Sequence, residues 1–349
     1  MNHELSKLIV SKAWEAYDAS KVIQSIDDIS ANVSTNFVFR VTFEDGDIII
    51  AKLSSFGKHE YFKEDHRIIH SLSNNLLYPY ENVLAKSLLK NNRVYIYRHR
   101  QSGNDAWVVF YNPTRILERM PRRLDENHIR QFAQQTAKFH KACARAAKVL
   151  PKSIKTMRTD INSLLDQLSR NENQFGTRSH ADQLRYHCEK YLKGRAKYGA
   201  STFETIPVFI DWNIGNFSVT KDMELYSRWD YDWFRMSTRM MDFYFFSRVV
   251  SNAGDRTVFS YLITTMMEDR FIIFLQEYHH HNPLTVNEIY FMKEAYRFFI
   301  LNYVIKDGKH FFHEQYANKL QQEAYDIYLP SVDRDFNADV LLDALNLKP

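Results

Sequence analysis

Between Val38 and Leu53 apolar and polar residues alternate as VFRVTF, break at EDGD and resume as the apolar run IIIAKL. The pattern predicts a β-hairpin closed by an Asp45–Gly46 turn, with its returning strand buried. Residues 59–73 follow with Phe62, Ile69 and Leu72 at helical spacing. NRVYIY (92–97) and AWVVFY (106–111) read as two more strands, so residues 1–111 predict a small sheet with one helix laid on it. After Asn112–Pro113 the period changes. Residues 124–147 place Ile129, Phe132, Ala133, Thr136, Ala137 and His140 along one face of a long helix, and INSLLDQLS and HADQLRYHCEKYLKG continue the helical pattern. A short β excursion interrupts it: IPVFID, FSVT and ELYSRWD. From Met240 onward helices dominate, one of them opening on a capping box of Thr285 and Glu288. Strands do not alternate regularly with helices, which argues against a doubly wound parallel sheet and for an α+β, bilobal chain. The expected units are a β-rich lobe over 1–111 and a mainly helical lobe over 112–349.

Composition changes this picture at one point, glycine. Nine occur in 349 residues, and none stand two or three apart, so a G-x-G-x-x-G fingerprint is excluded. GRAKYGAS, the nearest approach to a P-loop, has Ala200 where the phosphate-binding lysine belongs. Two cysteines, Cys143 and Cys188, are too few for a disulfide framework or a thiolate zinc site, and a reducing cytoplasm is expected. The first 18 residues read as a charged amphipathic helix, not a signal peptide, and no apolar run approaches the roughly 18–20 residues that span a bilayer. The charge is balanced at +4, with no concentrated basic stripe; residues 86–100 read as a solvated strand edge, so neither a membrane nor a nucleic-acid partner is expected.

The chemistry lies in the short β excursion. Asp211 and Asn216 are five apart, in FIDWNIGN, and Asp230 ends the strand after the next turn. The spacing predicts one carboxylate, one amide and a second carboxylate at the same end of one hairpin. Phosphoryl transfer needs such a set: a carboxylate to take the acceptor's proton, and hard oxygen ligands for Mg²⁺ on the nucleotide phosphates. Upstream, IIAK (49–52) is close to the V-A-I-K strand whose lysine holds phosphates, and Glu64 on the following helix is its expected ion-pair partner, with Glu60 the rival.

With these residues in place the chain resembles the aminoglycoside phosphotransferase, choline kinase and homoserine kinase family, the small-molecule branch of the protein-kinase-like fold. The resemblance runs from about residue 30 to 305 and is most specific over 209–242. It implies an ATP- and Mg²⁺-dependent kinase acting on a small-molecule hydroxyl. In that reading Asp211 is the base, Asn216 and Asp230 hold the metal, and Lys52 binds ATP phosphates. Asp242 matches the family's structural aspartate, and His140 in AKFHKAC matches its long-helix signature. The turn before the hairpin would cover the phosphates with Ser34, Thr35 and Asn36, and the backbone near Phe110–Tyr111 would meet the adenine. Trp212, Asp232 and Trp233 stand beside the catalytic groups and are candidates for the acceptor pocket, in which an aromatic face suits an amine. Segments 150–200 and 255–310 would form the rest of that pocket.

Two departures stand out. Phe209 and Ile210 occupy the usual His-Gly before the catalytic aspartate, and the phosphate-covering turn has no glycine. They keep a second reading in view, an ATP-binding kinase-like protein with little or no turnover. HRIIH (66–70) lacks the glutamate of a zincin, and the His279–His281 run reads as a solvated turn.

Overall fold

A computed structural model describes residues 2–31, 34–101, 104–254 and 260–348. Helix α1 (His3–Tyr17) precedes strands β1 (Ile23–Asp28), β2 (Phe37–Phe43) and β3 (Ile48–Ser54), helix α2 (His59–Asn75), a two-residue pair β4 (Leu89–Lys90) and β5 (Arg93–Val94), and strands β6 (Ile96–Gln101) and β7 (Asn104–Tyr111). The antiparallel sheet has the order β1-β2-β3-β7-β6. The predicted hairpin is β2–β3, with Phe37 opposite Leu53 and Gly46 at φ +86° in its turn.

Alternation along the strands sorts two faces. Ala51, Leu53, Val108 and Phe110 face α1 and close a small core with Ile9, Val10 and Trp14. Val109 and Tyr111 point the other way and join the core of the larger lobe, alongside Ile68, Ile69 and Leu72 of α2. Lys52 falls between Ala51 and Leu53, so the same period turns it toward the cleft.

The larger lobe is built on α3 (Glu126–Ala147), α4 (Met157–Arg170) and α5 (Arg178–Lys197), with strands β8 (Ile206–Val208), β9 (Phe217–Val219), β10 (Leu225–Arg228) and β11 (Arg235–Ser237) set before α6 (Met240–Val250), α7 (Asp269–His281) and α8 (Val286–Phe299). The face predicted for α3 is buried throughout, from Ile129 to His140. The Thr285 capping box forms, with Glu288 Oε2 accepting the Thr285 N–H at 2.9 Å. The helix predicted to run on to residue 305 instead widens into a π-helix over Ile300–Lys306, a form that recurs at functional sites.

The β excursion departs from expectation. β8 pairs with β11, and β9 with β10, giving two ribbons where one hairpin was predicted. Asp211 therefore leaves one ribbon while Asn216 and Asp230 flank the other, and the loop 209–216 brings them together.

Candidate active site

The loop after β8 turns tightly: the Asp211 N–H donates to the Phe209 carbonyl at 2.7 Å, and the Trp212 N–H to that of Ile210 at 2.9 Å. Ile210 adopts φ +63°, a conformation that glycine takes freely and a β-branched residue does not. Asp242 of α6 holds it there, its Oδ1 accepting the N–H groups of Phe209 at 3.2 Å and Ile210 at 2.6 Å. The other oxygen of Asp242 meets His140 Nε2 at 2.9 Å, and His140 Nδ1 meets the Tyr278 hydroxyl at 2.7 Å. The long helix, α6 and α7 thus converge on the backbone just before Asp211.

Asp211 accepts the Asn213 N–H at 3.3 Å, and its carbonyl accepts Asn216 Nδ2 at 3.4 Å, so the Asn216 amide is oriented by its nitrogen end. Burial first, then the charge of Asp230, pushes the Asp211 carboxyl up to about 7, against the pull of Arg228. Asp230, at φ +64°, follows β10. Desolvation raises its pKa, but Lys52 and the backbone N–H of Asp232 outweigh that and hold it below the ordinary carboxylate value.

Lys52 is buried, with Nζ 3.3 Å from Asp230 Oδ1 and 2.5 Å from Asp232 Oδ1. Desolvation disfavours its charge; Asp232 and Asp230 overcompensate and keep it protonated. Asp232 Oδ2 accepts the Asn36 amide at 2.7 Å. The phosphate-covering turn, the strand lysine and the residue two past Asp230 are thereby joined.

Several expected site residues lie elsewhere. Glu64 does not reach Lys52: its Oε1 accepts the Ser153 hydroxyl at 2.6 Å and the Ile154 N–H at 3.1 Å, fixing the turn before α4. Glu60 points outward, with Arg98 3.9 Å away. Buried His66 faces the cleft from α2 instead and hydrogen-bonds the Tyr111 hydroxyl. Phe110 and Tyr111 are still inside β7; residues 86–88 run along them, Leu88 N–H donating to the Phe110 carbonyl at 2.8 Å and Ser87 bridging Tyr111. The backbone expected to meet adenine is engaged there, and the chain leaves the sheet after Tyr111, where the Asn112 N–H donates to the Lys86 carbonyl at 3.0 Å. Ser34 folds its hydroxyl back onto the Asn36 N–H at 3.1 Å. Thr35 N–H donates to the Phe311 carbonyl at 3.3 Å, and Phe56 stacks on His310 at 5.6 Å, so the turn rests on the far lobe. Trp212 and Trp233 are core residues, the first among Phe139, Phe217 and Phe246, the second among Phe245, Phe299 and Phe312.

One side chain had no reading from the sequence. Arg228 is fully buried beneath the loop, because a bulge between Leu225 and Ser227 breaks the alternation that would have turned it outward. Beside Asp232 opens a cavity of about 530 Å³, reached by Asp65 and Tyr61 of α2, Lys155, Asp160, Arg235 and Asn302 of the π-helix. Of the segments expected to form an acceptor pocket, parts of 150–200 and 255–310 line it; residues 255–259 lie outside the described residues. Among the described residues no group of three or more His, Cys, Asp or Glu side chains could hold a metal ion, and no helix is long and apolar enough to cross a membrane.

No family model matches the chain, and no curated protein matches it by sequence. Solved structures do. Amicoumacin kinase hAmiN in complex with AMP-PNP, Ca²⁺ and Ami is similar with a TM-score of 0.61 at 13% identity, over 97% of this chain and 100% of that one. LicA in complex with AMP gives 0.57 at 15%, over 93% and 98%. The GDP complex of wild-type aminoglycoside 2'-phosphotransferase-IIIa gives 0.55 at 12%, over 91% and 98%. The chain has the fold of the small-molecule kinases. Within this kinase fold the small sheet, the loop at Asp211 and the helical lobe form one continuous architecture, and the identities of 12–15% make the likeness one of fold.

Proposed function

We propose that the protein is a phosphotransferase that moves the γ-phosphoryl group of ATP to a hydroxyl of a small molecule, with residues 1–111 as the nucleotide lobe and 112–349 as the catalytic and acceptor lobe. The observation behind this reading is that Asp211, Asn216, Asp230 and Lys52 meet at one cleft, in a fold shared with proteins solved with AMP-PNP, AMP and GDP. Asp211 is the base: it takes the proton of the acceptor hydroxyl as that oxygen bonds to the γ-phosphorus and the bond to the β,γ-bridging oxygen breaks, releasing ADP. A carboxyl raised to about 7 suits proton transfer near neutral pH. The amide oxygen of Asn216 and the carboxylate of Asp230 fit Mg²⁺, a hard cation that takes oxygen ligands and would neutralise phosphate charge. Lys52 would bind the nucleotide phosphates from the same cleft.

The acceptor belongs to the broad range represented by aminoglycosides, macrolides and amicoumacin among the similar structures. The test is Mg²⁺-dependent ATP consumption by purified protein across small alcohols and amino sugars. Stimulated turnover lost in Asp211→Asn supports the reading; absence of Mg-ATP binding overturns it. One observation favours a second reading, nucleotide binding without turnover: Asn36 and Lys52 are both engaged with Asp232. Single-turnover transfer from labelled ATP separates the two.

A further inference from the structure

Arg228 is a fully buried cation with an unusual set of neighbours. Its guanidinium sits in the corner formed by two nearly perpendicular rings whose centroids are 6.2 Å apart, with Cζ 4.6 Å from the Phe209 centroid and 4.5 Å from that of Trp212. Nη2 donates to the backbone carbonyl of Asp211 at 2.8 Å. Nε and Nη1 find no hydrogen-bond acceptor among the described residues. Its own backbone is pinned, the N–H to the Val83 carbonyl at 2.7 Å and the carbonyl to the Tyr231 hydroxyl at 2.8 Å.

Burying a guanidinium whose Nε and Nη1 find no acceptor is costly, and an apolar side chain would fill the corner formed by the rings without that cost. The charge and the planar shape must therefore supply something that packing does not. Phe209 and Trp212 bracket Asp211 in sequence, and Arg228 grips both, with the Asp211 carbonyl between them. Such a three-point grip fixes the peptide that aims the carboxyl. It needs a flat cation that stacks and donates at once, which a lysine ammonium is not.

We infer that Arg228 is a positioning residue that clamps the catalytic loop through Phe209, Trp212 and the Asp211 carbonyl. The inference rests on the kinase reading for its catalytic consequence, while the clamp itself is independent of it.

Wild type, Arg228→Lys and Arg228→Met are compared by three measurements: amide hydrogen exchange over 209–217, Mg-ATP affinity by calorimetry, and the rate of Mg²⁺-dependent ATP hydrolysis with water as acceptor. Folded Arg228→Lys should exchange about tenfold faster over 209–217. Its hydrolysis rate at saturation should fall about 100-fold, the scale of a small misplacement in a reacting pair, with nucleotide affinity held within about threefold. A purely structural role would lower the rate only in proportion to unfolded protein, and that result overturns the inference. So does unchanged exchange over 209–217 in a folded variant. If wild type hydrolyses no ATP the kinase reading suffers, and the exchange comparison still decides the clamp. Should neither substitution at 228 fold, Trp212→Phe keeps the charge and thins one face of the grip; the same loosening supports the clamp, and unaltered exchange and rate overturn it.

Discussion

Nζ of Lys52 lies 2.5 Å from Oδ1 of Asp232, and no acid of α2 takes part. In the protein-kinase arrangement a helical glutamate steadies the phosphate-binding lysine. Here the partner comes from the chain just past Asp230, and its second oxygen also holds Asn36. Strand, turn and catalytic ribbon share one carboxylate.

Removing that carboxylate leaves a buried cation with only Asp230, so Asp232→Ala should lower stability by about 3 kcal/mol in chemical denaturation. Glu64→Gln, acting only at the turn before α4, should stay within about 1 kcal/mol and leave Mg-ATP affinity within about twofold. Equal loss of nucleotide binding in both variants would restore Glu64 to the site.

The Asp211 carboxyl, at about 7, sets a pH dependence. The base is active when ionised, so ATP turnover should rise with pH through about 7 and level off above. The same shift acts oppositely on the fold. The folded carboxyl binds its proton more tightly than the unfolded one, with an ordinary value of 3.8, so its contribution to stability is full below that value and is lost as pH rises toward 7. Rate profiles and melts in parallel buffers read both limbs; Asp211→Asn should flatten each.

Asp230→Asn keeps the shape but removes a charge that would hold the metal in the proposed site. The Mg²⁺ concentration giving half-maximal ATP hydrolysis should rise by at least about tenfold. An unchanged metal requirement would place the ion elsewhere.

Asp242 accepts two backbone N–H groups and meets His140, so Asp242→Ala strands several buried polar groups at once. About 3 kcal/mol or more of stability should be lost, and the surviving folded fraction should turn over more slowly at unaltered nucleotide affinity. Denaturation and calorimetry measure the two effects separately.

Periodicity made much of this architecture legible. The β2–β3 hairpin, the buried face of α3 and the Thr285 cap each follow from local spacing, and period two alone turns Lys52 to the cleft. The spacing of Asp211, Asn216 and Asp230 pointed to the catalytic ribbon region. Partner choice was not legible. Glu64 is near Lys52 in sequence and Asp232 is far from it, yet the packing of α2 against the turn at Ser153 turns Glu64 away and leaves Asp232 facing Lys52. Arg228 was hidden by a bulge, since two successive inward residues violate the alternation from which burial is read. Trp212 and Trp233 misled for a related reason: adjacency to catalytic residues in sequence says nothing about which side of the loop a ring occupies.

The contacts of Thr35 with the Phe311 carbonyl and of Phe56 with His310 have a kinetic consequence. They join the turn at Thr35 and the segment at Phe56 to the far lobe, and on the proposed reading ATP admission would wait on their release. Stopped-flow binding should therefore show an observed rate that climbs with ATP concentration and then reaches a ceiling, the opening rate, instead of rising linearly. Phe56→Ala should lift that ceiling.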